Sequence, residues 1–350
     1  MVAFALSIEA PGVTAGPLSC GWSIDGSLAE PDVSLLSVAS ISSTSVWAVG
    51  WRALGDIDRT VTVHWNGAGW NVVPSPSPNG HYDVLLGVAG TSDTDVWAVG
   101  ATGLSFPYGS LIEHWNGSVW TVVPAPDGVV GALNAVSADS PTDAWVVGDM
   151  DGIVAHWDGS TWSLVPTPVP DVILHGVAAL SPTDVWAVGE DTAPNRRMVA
   201  MHWDGTTWTV LHLSAWELGD VSARASNDVW MTGNDGVNTA EARHWNGRRL
   251  PQYPLPDPGT EPWVDAVTAV GRGDVWIVGY QRLADFSYSP LAYHLQGRVW
   301  SVVSTPDVSG SDDFLYDVAA DPATHRAWAV GTSNSQLGQF NTLVLNYFPC

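Results

Sequence analysis

The chain contains no lysine. Its 12 basic residues are all arginine, set against 29 aspartates and 7 glutamates, for a formal net charge of −24 over 350 residues. So negative a chain repels phosphate, which argues against nucleic acid and anionic membrane as partners. It fits a secreted or salt-tolerant protein. Only two cysteines are present, Cys20 and Cys350, and there is no Cys/His zinc pattern. No apolar run approaches the length of a membrane span. Residues 1–12 carry a brief apolar run with no basic residue before it, which makes a poor secretory signal. No segment sustains helical periodicity. A Gly-rich phosphate loop and a nucleophile elbow are both missing.

What is present is repetition. Residues 95–124 read DVWAVGATGLSFPYGSLIEHWNGSVWTVVP, and the pattern returns along the whole chain. Its first Trp recurs as Trp47, Trp97, Trp145, Trp186, Trp230, Trp276 and Trp328, at gaps of 50, 48, 41, 44, 46 and 52 residues. A self-similar, strand-rich unit of about 40–50 residues is the signature of a propeller blade. In the second copy, residues 85–89 (LLGVA) form strand A, 96–100 strand B, 111–115 strand C and 120–123 strand D. Asn116-Gly117 supplies the C–D hairpin turn. The reading is all-β: one seven-bladed β-propeller of four-stranded antiparallel blades. Residues 1–18 are an N-terminal extension, 19–26 a displaced outer strand and 27–350 the repeats.

The displaced strand closes the ring. Trp22 aligns with Trp120 at the start of strand D, whereas the chain stops after LVLNYFPC (343–350), which aligns with strand C. The N-terminus therefore completes the last blade. Cys20 and Cys350 fall on the same turn position, so a Cys20–Cys350 disulfide is expected. It would lie at the upper end of roughly 2–5 kcal/mol for such cross-links, and it implies an oxidising compartment, extracellular or at the cell surface.

Loop length varies on one face. The A–B and C–D turns are short, while B–C loops and D–A links range from a few residues to more than ten and lie together on the opposite face. Ligand sites are commonly built from variable loops on a rigid scaffold. Trp51, Trp216 and Trp263 belong to none of the repeated Trp positions and fall in or beside these segments, as do Tyr82, Tyr108, Tyr280 and Tyr288. Flat rings of this kind stack on the apolar faces of sugars, and nearby carboxylates accept hydrogen bonds from hydroxyls.

Six histidines, His64, His114, His156, His202, His244 and His294, recur on strand C, with Asn346 in the last copy. Spaced around a ring and away from its axis, they cannot converge on one ion, so each is read as a hydrogen-bonding member of its own blade. On the innermost strand the repeat breaks into polar residues: Asn134, His175, Asp220, Asp265, Tyr316 and Asp317. They are placed to line a central funnel. Asp220, Asp265, Asp317, His175 and Tyr316 are candidates for glycosidase or lyase chemistry, although no spacing singles out an acid/base pair. No cofactor is required. DMDG (149–152) and NDG (234–236) are incomplete Ca²⁺-loop patterns.

The DVWAVG and HWNG-x-x-W copies resemble the Trp-rich propeller repeats of secreted bacterial proteins. HWDGSTW (156–162) and HWDGTTW (202–208) resemble a degenerate Asp-box turn, distantly kelch-like. The resemblance implies a propeller. It does not choose a function, since such propellers include lectins, hydrolases, lyases and scaffolds. The leading expectation is a non-catalytic extracellular binding module for a glycan or a surface component. The alternatives are a carbohydrate-active enzyme with a funnel site and a self-assembling surface protein.

Overall fold

The computed structural model describes residues 20–349 apart from 29, 107, 151, 193–196, 214–216, 237–238, 309 and 336–338, and of Glu217 the backbone alone. Among the described residues every regular element is a β-strand, 28 in all. They form seven blades of four antiparallel strands, each ordered A to D outward from the axis. In blade 2 these are Tyr82–Ser92, Asp95–Gly103, Gly109–Trp115 and Trp120–Val122. A single parallel pairing, Asp58 with Tyr82, also joins blades 1 and 2.

Blade 7 takes strands A, B and C from Ser311–Asp321, Arg326–Ser335 and Phe340–Phe348, and strand D from Gly21–Ile24. Trp22 pairs with Tyr347 and Gly21 with Phe348. The ring is therefore closed by the N-terminal strand. Cys20 is exposed, and the expected Cys20–Cys350 bridge falls on Cys350, which lies outside the described residues.

The C–D turns follow from their Asn/Asp-Gly pairs. Asn116 Oδ1 accepts the backbone N–H groups of Ser118 and Val119 at 3.0 and 3.1 Å, and Gly117 takes a φ of 93° that a side chain would strain. Asp158 does the same for Ser160 and Thr161. The backbone bond from Thr161, then those from Ser160, hold its exposed carboxyl down at about 2.

Between blades the core is aromatic. Trp97 is 1% exposed and meets Trp157 and Trp162 of blade 3 at centroid distances of 5.1 and 5.2 Å. Trp47 meets Trp115 and Trp120 of blade 2 in the same way. Each buried indole contributes on the order of 4 kcal/mol of gross hydrophobic stabilisation. The strand C histidines have the expected structural place: His114 packs against Trp97 at 4.2 Å and hydrogen-bonds Asp95 at 2.7 Å. The arrangement recurs at His156, His202, His244 and His294 with Asp143, Asp184, Asp228 and Asp274. His64 uses Ser45 instead, at 3.0 Å.

Strands A and B run longer than the sequence reading placed them. Strand A also carries a bulge at the same place in all seven blades, for instance between Leu85 and Gly87. The bulge pushes a carbonyl over strand B, which accounts for the Gly of the DVWAVG signature. A Cβ on Gly100 would lie 2.0 Å from Val84 O.

Candidate functional site

The leading ends of all seven A strands surround a cavity of 220 Å³ on the axis. Its wall holds Asn134, His175, Asp220, Asp265, Tyr316 and Asp317, so the structure brings together every polar position expected there. The bulges free backbone N–H groups toward the axis, and side chains of the preceding blade take them up. Asp317 of blade 7 accepts Ser37 Oγ and Val38 N–H of blade 1, each at 2.8 Å, and its own Val318 N–H at 2.7 Å. Ser37 Oγ in turn accepts Val88 N–H of blade 2 at 3.2 Å. Asp220 of blade 5 accepts Val267 N–H of blade 6 at 2.9 Å and Val221 N–H at 2.7 Å.

The two carboxylates are thus clips between blades. Burial, and then the charge of Asp317, push the Asp220 carboxyl above the usual carboxylate range. Burial raises Asp317 as well. Tyr316 is raised by burial, opposed by a bond with Thr332 and reinforced by the charge of Asp265. Where the clip position is Gly87, a Cβ would come within 3.0 Å of Ala135 Cα, so the small residues there mark the closest approach of neighbouring A strands.

A line of rings leads from blade 6 to this funnel. Trp263 stacks with Tyr280 (6.4 Å, 16°). Tyr280 and Tyr288 both pack on Phe314 of blade 7, at 4.9 and 5.2 Å. Phe314 lies parallel to Tyr316 on the funnel wall (6.3 Å, 8°). Trp263, Tyr280 and Tyr288, expected in or beside loops, all sit within strands: Trp263 pairs with Tyr280, and Tyr288 with Arg282. Aromatic residues prefer the extended backbone, and here they lengthen the A–B and B–C hairpins. Phe314 escaped the sequence reading. Its signal is its position two residues before Tyr316, hence on the same side of one strand.

The other predicted aromatics lie apart from this line. Tyr82 stacks on Tyr108 (4.1 Å, 19°), and Trp51 packs against Phe340 (5.1 Å). Trp216 lies outside the described residues. On the same face, the B–C loop of blade 2 exposes Leu104 (73%) and Phe106 (71%), and that of blade 6 exposes Phe286 (69%).

Of the Ca²⁺ candidates, Asp151 lies outside the described residues. Asn234 is engaged in clipping blade 5 to blade 6, donating to Val264 O and accepting Val264 N–H. Among the described residues no group of three or more His, Cys, Asp or Glu could hold a metal ion.

No protein-family model and no curated protein matches the sequence. Solved propellers match the structure. YCF48 bound to D1 peptide superposes with a TM-score of 0.62 at 15% identity, covering 98% of this chain and 100% of that one. The WD40 repeats of RRP9 give 0.61 at 14%, covering 92% and 100%. YCF48 from Cyanidioschyzon merolae gives 0.58 at 12%, covering 94% and 99%. At such identities the likeness is one of fold.

Proposed function

We propose that this propeller is a non-catalytic binding module acting outside the cell, with its ligand held on the face that carries the B–C loops and D–A links. The observation that carries the reading is the run of rings from Trp263 through Tyr280 and Phe314 to Tyr316, which links a loop-bearing edge to the mouth of the funnel. Stacked rings beside carboxylates such as Glu261 and Asp312 suit a glycan. A catalytic role for Asp220 and Asp317 is disfavoured because each carboxylate is engaged by one backbone N–H of its own strand and one of the adjoining blade. The extracellular location goes with a Cys20–Cys350 bridge, formed once the chain meets an oxidising environment.

A glycan array probed with the wild-type protein and a Trp263→Ala/Tyr280→Ala variant tests the ligand class. Retention of a defined set of glycans by the wild type, reduced at least tenfold in the variant, is expected. Retention of none by the wild type overturns the glycan reading.

A polypeptide ligand is the second reading. It is favoured by the apolar loop tips Leu104, Phe106 and Phe286, and one structural neighbour is a propeller bound to a peptide. Peptide display against the wild type and a Leu104→Ser/Phe106→Ser variant separates the two.

A further inference from the structure

The opposite face, formed by the A–B and C–D turns, is nearly uniform in six of its seven seams. In those seams the strand B Trp of one blade is covered by an aromatic side chain from strand C of the next. Trp115 covers Trp47, Trp157 covers Trp97, Trp203 covers Trp145, Trp245 covers Trp186 and Tyr347 covers Trp276; Trp65 joins the cluster of Trp328. The seam between blades 5 and 6 breaks the rule, because Leu295 stands where the indole belongs. Leu295 is itself buried beside Trp230, but it is smaller than an indole. A groove of 780 Å³ remains above it, floored by Trp230 and by Tyr253, which leans edge-on against Trp230 at 5.2 Å.

The charge around this groove is also exceptional. Arg224, Arg272 and Arg298 line it, and Arg248 and Arg249 lie on the adjacent C–D turn of blade 5, so five of the chain's 12 basic residues sit on or beside the turns of two neighbouring blades. The acid at the groove, Asp228, is already engaged by Arg224 at 3.2 Å and His244 at 2.8 Å. Arg272 and Arg298 are exposed and have no carboxylate partner among the described residues.

The geometry points to a second binding site here, for a short acidic peptide segment that places one aromatic side chain in the position vacated by the missing indole. Arginine is suited to planar carboxylates and to stacking on rings, and the floor is aromatic. The net charge of −24 decides the size of the ligand. A long polyanion, nucleic acid included, would meet repulsion from the rest of the surface, whereas a segment of a few residues feels mainly the local arginines within a Debye length of about 8–10 Å. The site lies on the other face from the aromatic line of blades 6 and 7 and does not depend on the reading given for it.

Fluorescence anisotropy with a labelled heptapeptide, Glu-Asp-Glu-Trp-Glu-Asp-Glu, tests the site against two control peptides, one with the Trp replaced by Ala and one with the acids replaced by Lys. The acidic Trp peptide is expected to bind at least tenfold more tightly than either control, and more weakly as salt rises. Arg272→Glu/Arg298→Glu should weaken binding at least tenfold; both residues are exposed, so the fold is retained. Leu295→Trp restores the pattern of the other seams and should abolish binding by filling the groove, while Trp263→Ala leaves it unchanged. Equal binding of all three peptides, or undiminished binding by the Leu295→Trp protein, overturns the proposal.

Discussion

His156 lies face to face with Trp145, ring centroids 4.4 Å apart, and both reach the same oxygen of Asp143, at 2.6 Å from His156 Nε2 and 3.0 Å from Trp145 Nε1. Asp143 is 2% exposed, so this carboxylate holds an imidazole and an indole together inside blade 3. Replacing it by Ala leaves the buried Trp145 Nε1 and the half-buried His156 Nε2 without this partner and is expected to cost about 1–3 kcal/mol. His156→Ala should cost about 1–3 kcal/mol, and the double mutant should fall short of the sum by at least 0.5 kcal/mol, about the least coupling seen between residues in one network. Urea unfolding of the three variants checks this; strict additivity would show that the residues do not act as a unit.

Gly100→Ala is expected to be among the most damaging single-methyl changes in the chain, at about 3–5 kcal/mol. The added carbon would lie 2.0 Å from Val84 O, and relief requires undoing a bulge on the innermost strand. The check is the shift of the denaturation midpoint, with Ala101→Gly on the same strand as a control of smaller effect.

Glu113 is wholly buried in blade 2 and, among the described residues, neither of its carboxyl oxygens has a hydrogen-bond partner. Burial, helped by the charge of Asp83, pushes its carboxyl up to about 8 from an ordinary 4.5. The folded chain thus holds this proton more tightly than the unfolded chain does. Its contribution to stability is fully present below about pH 4.5 and is lost as pH rises through 8. Glu113→Met copies the equivalent Met201 of blade 4 and should remove that dependence, stabilising the protein by roughly 2–5 kcal/mol at pH 8 and little at pH 4.5. Thermal unfolding across this range is the measurement; parallel profiles for the two proteins would contradict it.

If Cys20 and Cys350 pair, oxidised protein should yield one disulfide-linked peptide holding both ends of the chain on mass mapping, and reduction should lower stability by about 2–5 kcal/mol. Two free thiols after air oxidation would remove the bridge, and with it the argument from cysteine for an extracellular location.

Much of the fold was legible because a propeller repeats itself. Trp97 and its six equivalents carry the blade count, and Trp22 betrays the displaced strand. The bulge left a trace in the constant Gly of DVWAVG, but a glycine in a strand has several causes, and only the pairing of Leu85 with Gly100 reveals which applies. The candidate site was half visible. Tyr280 and Trp263 stood out by breaking the repeat, whereas Phe314 looked like ordinary strand content, and its role depends on blades 6 and 7 coming side by side. The groove at Leu295 was hidden because a Leu in a strand attracts no notice; it matters only against the indoles of the other seams.

The closing ladder has a mechanical consequence. Gly21 faces Phe348 and Ile24 faces Leu345, so handles fixed at residues 20 and 349 would sit at the same end of one antiparallel ladder. A pull between them loads the hydrogen bonds one after another, as a zip, and never all at once in shear. The ring would therefore open at its seam under low force while blades 1 to 6 remain folded, and the tension needed to part the seam would rise sharply if a covalent link were set at that first rung.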